Sequence, residues 1–159
     1  MLFIKALILI ALFAIFLQDI RDREVYWILF PFVALLAGTI FFYNTTFDHF
    51  LISITLNLLL ITSILCVIFL YIKLKMRTSI DQSLGLGDVL SLYALCFTFS
   101  TVSFIIIFVI GLFLSLLMHL ILQKSSKYET VPLAGNLSLI FGLSYLAYFA
   151  NLTPYNFSI

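Results

Sequence analysis

The chain alternates long apolar runs with short polar clusters, and the lengths of the runs give the first reading. A membrane-crossing helix takes about 20 apolar residues. Residues 2–18 form one such run, which stops at the charged cluster 19–24. Residues 25–43 form a second, ending at Asn44-Thr45-Thr46. A third begins near Phe47 or His49, continues to Ile72 and is followed by Lys73, Lys75 and Arg77. After a polar stretch, residues 89–123 are apolar for 35 positions. One helix of that length would be about 52 Å long, against a hydrocarbon core of ~30 Å. Ser100-Thr101-Val102-Ser103 is the natural break. It divides the run into a fourth helix, from Leu84 or Asp88 to Phe99, and a fifth from Val102 to Leu122. A sixth is expected from Pro132 to Ala150. The fourth is short, so it is expected to be partly buried in the bundle or to thin the bilayer locally. The tail 151–159 carries Pro154 and two aromatics, which suits an interfacial position.

Composition agrees with lipid as the solvent. The chain is 64% hydrophobic and 9% charged, where soluble domains carry roughly 25% charged residues. No polar stretch is long enough to fold alone, so residues 1–159 read as a single transmembrane domain. The first run lacks a basic leader and a small-residue cleavage site, so it is expected to be a retained helix. A net charge of +1 gives no reason to expect nucleic acid. Cys66 and Cys96 lie inside apolar runs with no CxxC pattern, which indicates packing rather than metal or thiol chemistry.

Charge placement orients the bundle. Seven of the eight Lys and Arg fall in three connections: Arg21 and Arg23, then Lys73, Lys75 and Arg77, then Lys124 and Lys127. The other two connections hold none. Basic connections favour the cytoplasmic side. The expected fold is therefore an all-α, polytopic membrane protein of six transmembrane helices, in the cytoplasmic membrane. Both termini are expected on the non-cytoplasmic side, with Lys5 snorkelling to the outer interface.

This topology puts Asp19, after the first run, and Asp88, before the fourth helix, on one face of the membrane. Each has a plain structural reading. Asp88 suits a helix N-cap, with the flanking glycines allowing a turn. Asp19 faces the unfavourable end of a helix dipole, which Arg21 or Arg23 would offset. As a pair they do more. Two adjacent carboxyls cannot both ionise, so one acts as general base on a water and the other as general acid towards a carbonyl. Gly85 and Gly87 would let an extended peptide approach Asp88.

These residues carry a resemblance. Asp19-Ile20-Arg21-Asp22-Arg23-Glu24-Val25, followed by Trp27, is similar to the first-aspartate motif of type IV prepilin and preflagellin peptidases. Gly85-Leu86-Gly87-Asp88 resembles the GxGD motif of the same membrane aspartic peptidases, which presenilins share. Val131-Pro132 resembles their late proline-containing motif. The resemblance implies a six-helix aspartic endopeptidase that needs no metal or other cofactor. It would remove a short basic leader from prepilin-like precursor peptides at the cytoplasmic face, in service of a type IV pilus or a related system. It implies Asp19 and Asp88 as the catalytic pair, with Gly85, Gly87, Arg23 and Glu24 binding substrate or shaping loops. Tyr26-Trp27 stands where the family often has Pro-Asn, and Leu90 where it often has Lys. The cysteine module linked to N-methylation is absent, so methyltransferase activity is not implied.

The remaining polar residues read as structural. Asp22 and Glu24 are expected as loop charges, and Asp48 and His49 as a loop on the far side. His119 is expected to pack, and Asn57 and Asn136 to make interhelical hydrogen bonds. The alternative to a peptidase is a small channel or transporter subunit in which the two aspartates bind a cation or relay protons.

Overall fold

The structure is a computed structural model that describes residues 2–76, 85–122 and 132–152, the side chains of Lys75, Met76, His119 and Leu122 excepted. Ser83, Leu84, Arg77, Lys124, Lys127, Val131 and the tail from residue 153 lie outside the described residues, as does the expected packing of the His119 side chain. Among the described residues there are six α-helices: α1 (Leu2–Asp22), α2 (Leu29–Asn44), α3 (Phe47–Tyr71), α4 (Leu86–Leu95), α5 (Thr101–Leu122) and α6 (Leu133–Phe149). A π-helical turn, Ile72–Met76, prolongs α3. By length and composition, Leu2–Asp22, Phe47–Leu74 and Thr101–Met118 are long and apolar enough to cross a membrane, and the other three helices are shorter and apolar.

The three long helices each bury one narrow stripe. In α1 it is Ile8, Ala11, Leu12 and Ile15, at the three- and four-residue spacing of one helical face. In α3 it is Ser53, Ile54, Asn57, Ile61 and Leu65. In α5 it is Phe104, Phe108, Gly111 and Ser115. The outward faces are equally apolar, with Ile10, Phe13, Leu59, Val67, Phe113 and Ile121 all exposed. What marks the inside is the small or polar residue. Ser53, Asn57, Ser91, Ser115, Asn136 and Ser138 are all buried. Lipid gains little from hiding a leucine, so close approach and interhelical hydrogen bonds hold such a bundle together.

α6 is the central post. It runs antiparallel to α1 along its whole length, from Gly135 beside Asp19 to Phe149, whose ring lies 4.8 Å from Lys5 Nζ. Lys5 is thus held by an aromatic face of the bundle. α6 also packs on α4 and α5, and α2 packs on α1 and α4. At the far end, Tyr148 Oη lies 3.0 Å from Asn44 Oδ1.

A break does divide α4 from α5, but it lies at residues 96–100 rather than 100–103: α4 ends at Leu95 rather than Phe99, and Thr101 already opens α5. At ten residues α4 is about 15 Å long, half a bilayer core, so its connection to α5 stays inside the bundle. Cys96, Thr98, Phe99 and Ser100 have no exposed surface. Non-helical backbone at that depth requires partners from the protein. Asn57 Nδ2 donates to the carbonyls of Cys96 at 3.0 Å and Phe99 at 3.1 Å, and Tyr145 Oη donates to that of Thr98 at 3.1 Å. The Phe99 ring lies tilted 4.6 Å from that of Tyr145 and stacks at 6.1 Å on Phe141, which seats the turn on α6. Asn57 is therefore the interhelical donor expected of it, as is Asn136, whose Nδ2 donates to Ser115 Oγ at 2.9 Å.

Two boundaries in the first half of the chain differ from the apolar runs. α1 continues through the charged residues to Asp22, and α2 starts at Leu29 rather than Val25. Asp48 and His49 lie in the first turn of α3, not in a loop, with His49 edge-on to Phe41. Cys96 is buried as expected, whereas Cys66 is exposed on an apolar helix face.

Candidate active site

The buried stripe of α1 continues one turn past Ile15 to Asp19. The periodicity that points Ile8 and Ile15 inward thus points a carboxylate inward, and Asp19 is only 8% exposed. A carboxylate in the last turn of its own helix meets the negative end of that helix dipole. Compensation comes from another helix: the Gly135 N–H donates to Asp19 Oδ2 at 2.6 Å.

Asp88 is the third residue of α4. The residue that caps α4 is Gly85, in extended backbone with φ −66° and ψ 141°, and no side chain bonds to that helix start. The Asp88 N–H donates to the Gly85 carbonyl at 3.1 Å. Its carboxylate is turned away to α6, where Oδ1 accepts from the Ala134 N–H at 3.1 Å. The reading of Asp88 as the cap of its own helix is thus corrected: it caps α6 instead.

Elementary helix geometry explains the arrangement. The first amides of a helix have no preceding carbonyl to bond, and their dipoles favour negative charge. α6 begins after Pro132, which has no side-chain oxygen to offer as a cap. The amides of Ala134 and Gly135 are therefore available, and the two acids take one each. Neighbouring amides of one turn hold two carboxyl groups from opposite halves of the chain.

Gly135 is what permits this. A Cβ there would lie 2.9 Å from Asp19 Oδ2, 3.0 Å from Asp19 Cβ and 3.3 Å from the Phe16 carbonyl oxygen. The last of these is backbone, and the second is fixed directly to it, so neither yields readily. By contrast, a Cβ at Gly85 would lie 3.6 Å from Asp88 Oδ2 and one at Gly87 3.9 Å from the Phe30 ring, both ordinary contacts. Gly85 shapes the start of α4 as its cap, but the close approach in the site depends on Gly135.

Arg23 terminates α1 in the left-handed region, at φ 56°. That conformation costs a non-glycine residue about 1–3 kcal/mol. It turns the chain so that the half-buried guanidinium is felt by both Asp19 and Asp88. Arg21 does not serve Asp19; its Nε lies 3.9 Å from Asp22 Oδ1 in an exposed pair. Glu24 is exposed and joins no hydrogen bond of the site among the described residues.

Asp88 lies outside the three long spans. Burial pushes its carboxyl up to about 6; the bond from Ala134 acts against this, the neighbouring Asp19 charge adds to it, and the Arg23 cation opposes it. A carboxyl that holds its proton to near-neutral pH, beside a second carboxyl, is what acid–base work on a water and a carbonyl requires. Among the described residues no group of three or more His, Cys, Asp or Glu is placed to hold a metal ion.

Of the residues singled out by sequence, Asp19, Asp88 and Arg23 come together, Gly85 and Gly87 flank them, and Glu24 stands outside. Ala134 and Gly135 escaped notice because an amide donor leaves no mark in a sequence. The available signal was Pro132, a helix start with no side-chain cap, followed by a glycine in the first turn. Searches of family models, curated proteins and solved structures found no match for this chain.

Proposed function

We propose that this protein is a membrane aspartic endopeptidase that uses Asp19 and Asp88 to remove the short basic leader of prepilin-like precursors at the cytoplasmic face. One observation carries the reading: two acids from distant parts of the chain share adjacent amides of one helix turn. Capping α6 needs an acceptor but does not need two acids, one buried and one half-buried, and neutral Asn or Ser would serve as well. In this mechanism the ionised carboxyl takes a proton from water as the water attacks the scissile carbonyl. The protonated carboxyl gives its proton to the carbonyl oxygen. Reversal of these roles expels the amine. Arg23 limits the negative charge the pair presents. The motifs around Asp19 and Asp88 supply the substrate class.

The accompanying topology is six crossings with both termini outside. Arg21, Arg23 and Lys73 lie at the Asp end of the bundle and Lys5 at the other, in keeping with that orientation. α2 and α6, at about 24 Å and 26 Å, cross with little mismatch, and α4 crosses only together with the buried turn that follows it.

The test is cleavage of a prepilin-like precursor by purified protein in lipid. Asp19→Asn and Asp88→Asn each abolish it while the protein still accumulates, because asparagine retains an acceptor for the α6 amides. Normal cleavage by either variant overturns the assignment. An ion flux in reconstituted vesicles that depends on Asp19 and Asp88, with no proteolysis by the parent protein, would put a transporter in its place.

A further inference from the structure

The connection between α1 and α2 presents three large side chains in a row to the outside: Tyr26 is 75% exposed, Trp27 66% and Ile28 61%. The turn is well formed. The Leu29 N–H donates to the Tyr26 carbonyl at 3.0 Å, and the Phe30 N–H to that of Trp27 at 3.3 Å. The geometry points to this turn as a lipid anchor, seated in the headgroup zone of the bilayer, that sets the depth of the two carboxylates.

Length fixes where the turn sits. α1 has 21 residues, about 31 Å of helix, which matches a hydrocarbon core of ~30 Å. The connection that follows it therefore falls at the boundary between acyl chains and water. Tyrosine and tryptophan favour that level because each carries an apolar ring and a polar N–H or O–H. The neighbours divide accordingly, with the exposed charges of Arg21, Asp22 and Glu24 on the preceding residues. Exposed apolar side chains recur at the same end of the bundle on other elements, Leu74 after α3 and Leu86 at the start of α4. A planar lipid surface meets both connections together, whereas a bound peptide would cover one side.

Both ends of the turn are tied to the site. The Tyr26 N–H donates to Gln18 Oε1 at 3.1 Å, and Gln18 directly precedes Asp19. Phe30, 1% exposed, packs its ring on Gly87, which directly precedes Asp88. An anchor between those two ties fixes both acids relative to the membrane surface. This inference requires a membrane but does not rest on the peptidase reading.

Trp27 is the single tryptophan of the chain, so the intact protein carries its own probe. The full chain is reconstituted in phosphatidylcholine–phosphatidylglycerol vesicles that contain a headgroup nitroxide, shallow acyl bromines or deep acyl bromines, and is separately titrated with aqueous acrylamide. Expected are blue-shifted emission, strongest quenching by the headgroup and shallow labels, and weak quenching by deep bromines and acrylamide. Acrylamide quenching like that of free tryptophan would put the turn in water and overturn the proposal. Protection from every quencher would mean that protein covers it, a second copy or a peptide, and would overturn it equally. A Tyr26→Ser/Ile28→Ser variant retains the probe and keeps both turn hydrogen bonds, which are backbone. Its Trp27 emission shifts red and acrylamide quenching rises; an unchanged depth would remove the anchoring role.

Discussion

Two helix ends in this bundle leave backbone groups without helical partners, and they are supplied in opposite ways. At residues 96–100 the end of α4 leaves carbonyls free, and neutral donors satisfy them: the Asn57 amide and the Tyr145 hydroxyl. At the start of α6 amides are free, and two acids satisfy them. The first solution is what a buried, purely structural break calls for, because neutral groups bring no charge into a dry interior. The second brings two ionisable groups to one place, against desolvation and mutual repulsion. Capping alone does not call for paired acids, and the proposed peptidase reading turns on that difference.

The same chemical exchange should therefore have opposite consequences at the two ends. Asp19→Asn or Asp88→Asn removes acid–base chemistry, a loss of roughly 10²–10⁴-fold in cleavage rate, while leaving thermal unfolding in detergent nearly unchanged. Asn57→Asp does the reverse. It sets a carboxylate against two carbonyls in a site with no exposed surface, an uncompensated buried charge that costs about 3–5 kcal/mol, read as loss of folded protein. Preserved stability of Asn57→Asp would erase the contrast.

Gly135→Ala comes next. The added methyl displaces Asp19 from its amide, and a misplacement of that kind lowers the rate by about 100-fold. Folding is disturbed less than cleavage, and a variant of full activity would show that Gly135 does not set the approach. Smaller still, Tyr145→Phe leaves the Thr98 carbonyl unpaired and costs about 1–3 kcal/mol of stability. Activity per folded molecule is retained, measured by cleavage at a temperature well below unfolding.

The mildest effects are in pH. Asp88 holds its proton up to about 6, so the acid half of the pair is lost as pH rises through that value, and cleavage falls on the alkaline side. Arg23 opposes protonation of Asp88. Arg23→Gln therefore shifts the alkaline limb to higher pH, whereas a shift to lower pH would contradict the sign of its influence.

Much of the architecture was legible in the chain. The run of residues 89–123 was too long for one helix and does break, although at residues 96–100, so that of the expected Ser-Thr stretch only Ser100 lies in the turn. Run lengths and basic clusters also put Asp19 and Asp88 at one end of the bundle. Less legible were helix ends and faces. Hydropathy stopped α1 before Asp19, but the helix runs on to Asp22, with the Asp19 carboxylate bonded to a different helix. Inward and outward faces could not be told apart by apolarity, since leucine suits lipid and bundle alike. Only small and polar positions such as Gly111 and Ser115 distinguish them. The role of α6 was hidden for a related reason: its contribution is two backbone amides, brought into place by contacts with residues 46 and 116 positions away.

That arrangement has a mechanical consequence. α1 and α4 each pack on α2 and α6, and their acids meet through one turn of α6. The interval between the carboxyl groups is therefore gauged by a single peptide unit rather than by the distance between two helices. A slide of α6 along its axis carries both acids to a new depth without respacing them. A tilt of α1 away from α6 detaches Asp19 alone and leaves Asp88 on its amide. The pair is thus tolerant of one motion and sensitive to the other, and α6 is the element whose displacement moves the site as a unit.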